Sequence, residues 1–111
     1  MLYVKMKINN VDVQAFIDTG AQSTIISLES ARQWGIMKYV DTRFQGRAVG
    51  VGSCTIVGRI HALDIYIGEH KVTCSIQVLD AGNMKFLFGL DSMKKHRVTF
   101  FYNKKSVWSI Y

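Results

Sequence analysis

The chemistry-bearing residues of this chain concentrate in Ala15-Phe16-Ile17-Asp18-Thr19-Gly20-Ala21, where an apolar run ends in a carboxylate, a hydroxyl and a glycine. That order suits a tight turn holding an aspartate at the edge of a core, because Asp and Gly both favour turn geometry. Asp-Thr-Gly alone is an ordinary turn. Its context raises it: an apolar strand before, the small Ala21 after, and a second apolar run, Thr24-Ile25-Ile26, beyond. A carboxylate so placed can do acid–base work on water when a second carboxylate shares its site. Like charges that close cannot both ionise, so one keeps a proton while the other activates water. Competing chemistry is thin. Gly50-Val51-Gly52 lacks the third glycine and the following helix of a dinucleotide fingerprint. His61, His70 and His96 have no Cys or Ser partner at a telling spacing, and read as surface or strand-edge residues. Cys54 and Cys74 form no metal-binding spacing and no disulfide framework, so they read as small packing residues. No metal or cofactor is expected.

The elements that must position Asp18 are short strands. Leu2, Val4, Met6 and Ile8 alternate with Tyr3, Lys5 and Lys7, a period of two. Asn9-Asn10 is a good type I′ turn, since asparagine tolerates positive φ. Closing there pairs Ile8 with Val11, Met6 with Val13, Val4 with Ala15 and Leu2 with Ile17, all on one face, while Lys7 meets Asp12 and Tyr3 meets Phe16 on the other. A one-residue slip would destroy this arrangement.

After the Asp18 turn, Ser27 can cap a short helix with Glu29 in its first turn, Arg32 in its last and Gly35 just beyond. Residues 46–58 are glycine-rich yet keep Val49, Val51, Ile56 and Val57, which predicts a mobile hairpin with an apolar underside. Leu63, Ile65 and Ile67 then share a face, as do Val72, Cys74, Ile76 and Val78, and a four-residue loop over 68–71 would pair Ile67 with Val72. Phe86-Leu87-Phe88-Gly89-Leu90 reads as a buried strand, Asp91 as the cap of a brief helix ending near 94–97, and residues 98–102 and 107–110 as a final hairpin. Many short strands with one or two short helices predict a mostly-β domain, a small closed barrel or a sandwich.

Composition narrows the classes. The 111 residues support one domain over 1–111, and a hydrophobic share of 49% is too high for intrinsic disorder. No apolar run approaches the ~20 residues of a membrane helix, and Lys5 and Lys7 break up what would be a signal sequence. The expected setting is reducing, in the cytoplasm or nucleus. A formal net charge of +6 permits nucleic-acid or membrane-surface binding, but the positive charges are scattered. No basic run is interleaved with aromatics, and neither nucleic acid nor membrane is expected as a partner.

Taken in order, these segments resemble the aspartic proteases, specifically the single-domain retroviral type, over almost the whole chain. Asp18-Thr19-Gly20-Ala21 stands where the catalytic loop of that family stands, soon after an N-terminal hairpin. Residues 46–58 match its flap, and Leu87-Phe88-Gly89-Leu90-Asp91 matches the second apolar-apolar-glycine segment. Within this class Gly35-Ile36-Met37, Asp41-Thr42-Arg43-Phe44, Gly46, Ala48-Val49-Gly50-Val51-Gly52 and Gly58-Arg59 resemble the protease domain of the DNA-damage-inducible ubiquitin-shuttle proteins. Phe88 is bulkier than the aliphatic residue expected there, and the flap-like segment holds an unexpected Cys54.

The resemblance implies a retropepsin-type fold and an aspartic endopeptidase, with Asp18 as the catalytic residue and Thr19, Gly20 and Ala21 supporting its loop. It implies that Val49, Gly50, Val51 and Gly52 close over a peptide bound as an added strand, beside Leu87, Phe88 and Gly89. The chain has a single Asp-Thr/Ser-Gly, since Asp91-Ser92-Met93 and Asp41-Thr42-Arg43 lack the glycine. The second carboxylate must then come from a second copy of the chain, brought up by a two-fold axis. The resemblance implies that Thr19 bonds across the dimer, and Val107, Trp108 and Ile110 are the other expected interface residues, because large apolar groups occupy both faces of the last strand. Polypeptides, ubiquitinated ones among them, are the expected substrates, in turnover linked to the proteasome. The 111 residues would be one module of a longer shuttle protein. Two alternatives stand beside this reading: a weakly active or inactive dimerisation and peptide-binding module on the same fold, and a retroelement-encoded protease.

Overall fold

The computed structural model describes residues 2–18, 20–48, 54–80, 86–95, 98–101 and 107–110. Strands β1 (Leu2–Ile8) and β2 (Val11–Ile17) form the expected hairpin in the expected register, from Ile8 opposite Val11 to Leu2 opposite Ile17. Asn9 and Asn10 have φ of 51° and 63°, the two left-handed positions that a type I′ turn needs. Val4, Met6, Ile8, Val13 and Ala15 point into the core, while Lys7 faces Asp12 at 3.8 Å and Tyr3 packs edge-on to Phe16 on the outside.

Strand β3 (Ile25–Ser27) leads directly into α1 (Leu28–Gln33), where the Ser27 hydroxyl accepts the Ser30 N–H. The helix stops at Gly35, whose φ of 70° bends the chain so that Gly35 N–H reaches the Arg32 carbonyl and Ile36 N–H the Ala31 carbonyl. This pair of bonds is a Schellman ending. It leaves Ile36 fully buried and Trp34 edge-on against Phe86. Two single 3₁₀ turns, Met37–Tyr39 and Thr42–Phe44, then lead to β4 (Gly46–Ala48).

Strands β5 (Cys54–Ile67) and β6 (His70–Asp80) form the longest antiparallel pair described. They are followed by β7 (Phe86–Phe88), α2 (Leu90–Lys95), and a separate two-stranded sheet of β8 (Val98–Phe101) and β9 (Val107–Ile110). The main sheet runs β1-β2-β7-β3-β6-β5, and β1 pairs back onto β5 through Lys7 opposite Tyr66 and Ile8 opposite Ile65, closing a barrel of 6 strands. Closure removes the open edges that such short strands would otherwise expose. The interior is aliphatic and aromatic, with Ile26, Ile60, Ile65, Ile67, Ile76, Val78, Phe86 and Phe88 at 0–1% exposure. Phe88, the bulkier residue at its position, fits because it lies edge-on to Phe86 with centroids 6.4 Å apart.

Several expectations need correction. The β5–β6 connection is a two-residue turn, Gly68-Glu69, so Ile67 pairs with His70 and Val72 with Ile65. Gly68, with φ of 61°, supplies the positive first position of a type II′ turn. The two-residue shift keeps every side chain on its expected face, which is why alternation alone did not separate the two registers. The segment after residue 85 is a strand only to Phe88, and α2 already begins at Leu90, so Asp91 lies in its first turn instead of capping it. The hairpin over 46–58 and the strand at 63–67 are not separate elements, because β5 runs through both. It changes face by register shifts between Ile56 and Gly58 and between Ile60 and Leu63. The second shift leaves His61 and Ala62 both facing solvent, as a bulge does. The arms of the expected hairpin are present, with Gly46 opposite Ile56 and Ala48 opposite Cys54, and Val49, Gly50, Val51 and Gly52 lie outside the described residues.

Candidate functional site

Asp18 sits where three strands meet. Strand β7 lies between β2 and β3, parallel to the first (Phe16 opposite Leu87, Ile17 opposite Phe88) and antiparallel to the second (Ile25 opposite Leu87, Ile26 opposite Phe86). Residues 18–24, which join β2 to β3, must therefore cross over the end of β7. The crossing is fixed by main-chain bonds: Asp18 N–H to Phe88 O at 3.3 Å, Leu90 N–H to Ala21 O at 2.8 Å and Asp91 N–H to Gln22 O at 3.0 Å. Gly89 is required at the crossing point. A Cβ there would lie 2.5 Å from Ser23 O and 3.0 Å from Ala21 O, and neither is the tip of a flexible side chain.

Within the loop, Asp18 makes a tight double turn. Its carbonyl accepts Ala21 N–H at 3.1 Å and its Oδ1 accepts Gly20 N–H at 2.9 Å. The second bond is an Asx turn, which fixes the carboxylate relative to its own backbone. The side chain is half-buried, with the other oxygen free of any described protein donor. Phe16 and Leu87 are both half-buried on the face away from the core, and Tyr3, 52% exposed, extends this apolar wall beside the loop.

Of the residues singled out from sequence, the fold brings together Asp18, Gly20 and Ala21 with Leu87, Phe88 and Gly89. Thr19 lies outside the described residues, as do Val49–Gly52. Val107, Trp108 and Ile110 belong to β9, which pairs with β8 through Phe100 opposite Trp108, and their side chains lie outside the description. Sequence reasoning missed Thr24. It is wholly buried behind the loop, where its hydroxyl meets Asp91 Oδ1 at 2.7 Å, Ser92 Oγ at 2.6 Å and Gly89 N–H at 3.2 Å. A hydroxyl followed by two isoleucines carries no sequence signal of such burial.

A second polar cluster lies at the base of the β4–β5 hairpin. Asp41 exchanges both main-chain bonds with Arg59, and its carboxylate is gripped by the Arg43 fork at 3.0 and 2.7 Å and by His61 Nε2 at 2.9 Å. Bonds from Arg43 first, then from His61, hold the Asp41 carboxyl well below the usual carboxylate range. Phe44 packs edge-on to the His61 ring at 4.8 Å. His61 is thus a surface residue, as expected, but a partnered one. Burial pushes the Cys74 thiol up, which suits packing better than nucleophilic attack. Among the described residues, no group of three or more His, Cys, Asp or Glu could hold a metal ion, and no helix is long and apolar enough to cross a membrane.

Comparison with known proteins agrees with this geometry. The family profile described as aspartyl protease matches residues 1–100. The chain is 52% identical over 99 residues to the protein DNA-DAMAGE INDUCIBLE 1 of Arabidopsis thaliana, covering 89% of this chain and 24% of that one. Among solved structures it is similar to the retroviral protease-like domain of Ddi1 from Leishmania major, with TM-score 0.81 and 39% identity over 89% of this chain and 79% of that chain. The fold is shared with a retropepsin-like aspartic protease from Rickettsia conorii, TM-score 0.69 at 19% identity, over 97% of this chain and 88% of that one. The chain spans about a quarter of the length of the curated relatives it matches.

Proposed function

We propose, from the premise that this chain belongs to the aspartyl protease family as a retroviral-protease-like domain of the DNA damage-inducible type, that it is an aspartic endopeptidase working as a homodimer. Residues 1–111 form its single catalytic domain. Asp18 of each protomer supplies one carboxylate to a site on the two-fold axis. The ionised member takes a proton from water as that oxygen attacks the peptide carbonyl, and the protonated member donates to the carbonyl oxygen. As the tetrahedral gem-diol collapses, the carboxyl that took the proton of water gives it to the leaving nitrogen and the other carboxylate takes a proton from a gem-diol hydroxyl, so the pair again holds one proton.

The observation that carries this reading is the loop over Gly89, which fixes Asp18 by bonds to Phe88, Gly20 and Ala21 while leaving one carboxylate oxygen free of described protein donors. Thr19 would tie the two loops across the dimer, and Gly20 would let a substrate backbone approach. Val49, Gly50, Val51 and Gly52 would close over an extended peptide, and Val107, Trp108 and Ile110 would join the interface. Phe16, Leu87 and Tyr3 beside the loop support apolar substrate side chains next to the cleaved bond. Polypeptides, ubiquitinated ones included, are the proposed substrates, in proteasome-linked turnover in the cytoplasm or nucleus.

Cleavage of a peptide library by the wild type and by Asp18→Asn tests the reading. The wild type should cleave with a bell-shaped pH profile centred on the acidic side of neutral, because a shared proton is lost at one end and doubled at the other. Asp18→Asn should be inert. Equal activity in both, or a rate climbing steadily from about pH 6 to 9, is incompatible with a singly protonated pair.

A further inference from the structure

Thr24 ends the loop that begins at Asp18, and its buried hydroxyl has three polar neighbours, all within residues 89–92, the stretch that opens α2. Asp91 Oδ1 stands at 2.7 Å, Ser92 Oγ at 2.6 Å and Gly89 N at 3.2 Å. A hydroxyl has one proton to give and two lone pairs to receive with, while an ionised carboxylate only accepts. The directions follow. Thr24 donates to Asp91, and its lone pairs take the Gly89 N–H and the Ser92 hydroxyl. Asp91 Oδ1 is itself held by Ser92 N–H at 2.7 Å. The main-chain bonds across this seam are available to any sequence, whereas Thr24 adds three bonds that depend on its side chain.

We infer that Asp91, acting through Thr24, is a positioning residue for the Asp18 loop: its acceptor-only carboxylate orients a buried hydroxyl that pins residues 18–24 onto Gly89. The inference rests on Asp18 being the catalytic carboxylate. Asp91 touches no reacting atom. Its effect is to narrow the positions the loop can occupy, and displacement of a reacting group by about 1 Å can cost on the order of a hundredfold in rate.

Four single variants in the full chain test this. Thr24→Val keeps the shape of the side chain and removes the hydroxyl, while Thr24→Ser keeps the hydroxyl. Asp91→Ala removes the acceptor, while Asp91→Asn keeps an acceptor oxygen without the charge. Thr24→Val and Asp91→Ala should show faster amide hydrogen exchange in residues 18–24. Their kcat should fall by about tenfold or more with KM within about twofold, the split expected when only the transition state is disturbed. Thr24→Ser and Asp91→Asn should stay within about threefold of the wild type in kcat and retain its exchange pattern. Asp91 is exposed to solvent, so Asp91→Ala keeps the core intact and carries the test if Thr24→Val does not fold. Wild-type exchange and kcat in Asp91→Ala would overturn the inference. So would a rise in KM alone, or an Asp91→Asn variant as impaired as Asp91→Ala. If the wild type shows no Asp18-dependent cleavage, the reading of Asp18 fails separately, and the exchange data alone still judge whether Asp91 holds the loop.

Discussion

At the scale of single residues, Gly89 and Asp41 make opposite demands on the sequence. Gly89 must have no side chain. Gly89→Ala would drive Cβ into the Ser23 and Ala21 carbonyls, an overpacking that costs about 1–3 kcal/mol and moves the loop bearing Asp18. Thermal unfolding should show a clear fall in Tm, with cleavage lost even where the variant is folded. Gly46→Ala is the control. Its Cβ would meet only Ile56 Cδ1 at 3.8 Å, and its Tm should match the wild type. Asp41 must be charged. Its folded value is depressed below the ordinary 3.8 by Arg43 and then His61. A depressed carboxylate contributes its stability above the unfolded value and loses it as pH falls through the folded one. Asp41→Asn should therefore melt below the wild type at neutral pH, and the gap should close as pH falls from about 4 towards 2. A gap independent of pH would mean that packing, not charge, sets the role of Asp41.

At the scale of elements, the two residues of the first turn should behave differently although both have positive φ. Asn9 Nδ2 donates to the Trp34 carbonyl at 2.8 Å, tying the β1–β2 turn to the end of α1, whereas Asn10 has no such described bond. Asn10→Gly should be neutral or stabilising, because glycine relieves the left-handed strain. Asn9→Gly should lose about 1 kcal/mol with that hydrogen bond. Denaturant midpoints for the two variants check this, and equal shifts would contradict it. The same hairpin shows what the sequence makes legible. Its register follows from alternation and a turn type, both local, and so does α1, bounded by Ser27 and Gly35. The placement of β7 between β2 and β3 is not local, since Phe16 pairs with Leu87 across most of the chain. Periodicity marks Phe86-Leu87-Phe88 as buried but names no neighbour, and the family resemblance sets this segment beside the Asp18 loop without giving its strand partners. The bulges of β5 were hidden for a related reason: inserted residues such as His61-Ala62 break the alternation that identifies a strand. Thr24, Asp91 and Ser92 were illegible as a group because small polar residues also populate turns and caps, and only tertiary packing makes them a network.

At the scale of the whole molecule, the proposal requires two chains for one site. The strand β9 is described only in its pairing with β8, and its apolar sequence on both faces is the basis for placing it in the interface. Removing residues 106–111 should abolish both the dimer and cleavage, read by sedimentation and by peptide turnover; a truncated chain that remains a fully active dimer would exclude this strand from the interface. The sharing of the site is tested most directly by mixing. Wild type and Asp18→Asn, unfolded together and refolded at a fixed total concentration, should distribute at random between homodimers and mixed dimers. A mixed dimer carries one carboxylate where two are needed, so activity should follow the square of the wild-type fraction. Activity proportional to that fraction would mean that each chain works alone, and would contradict a catalytic site built from two copies of Asp18.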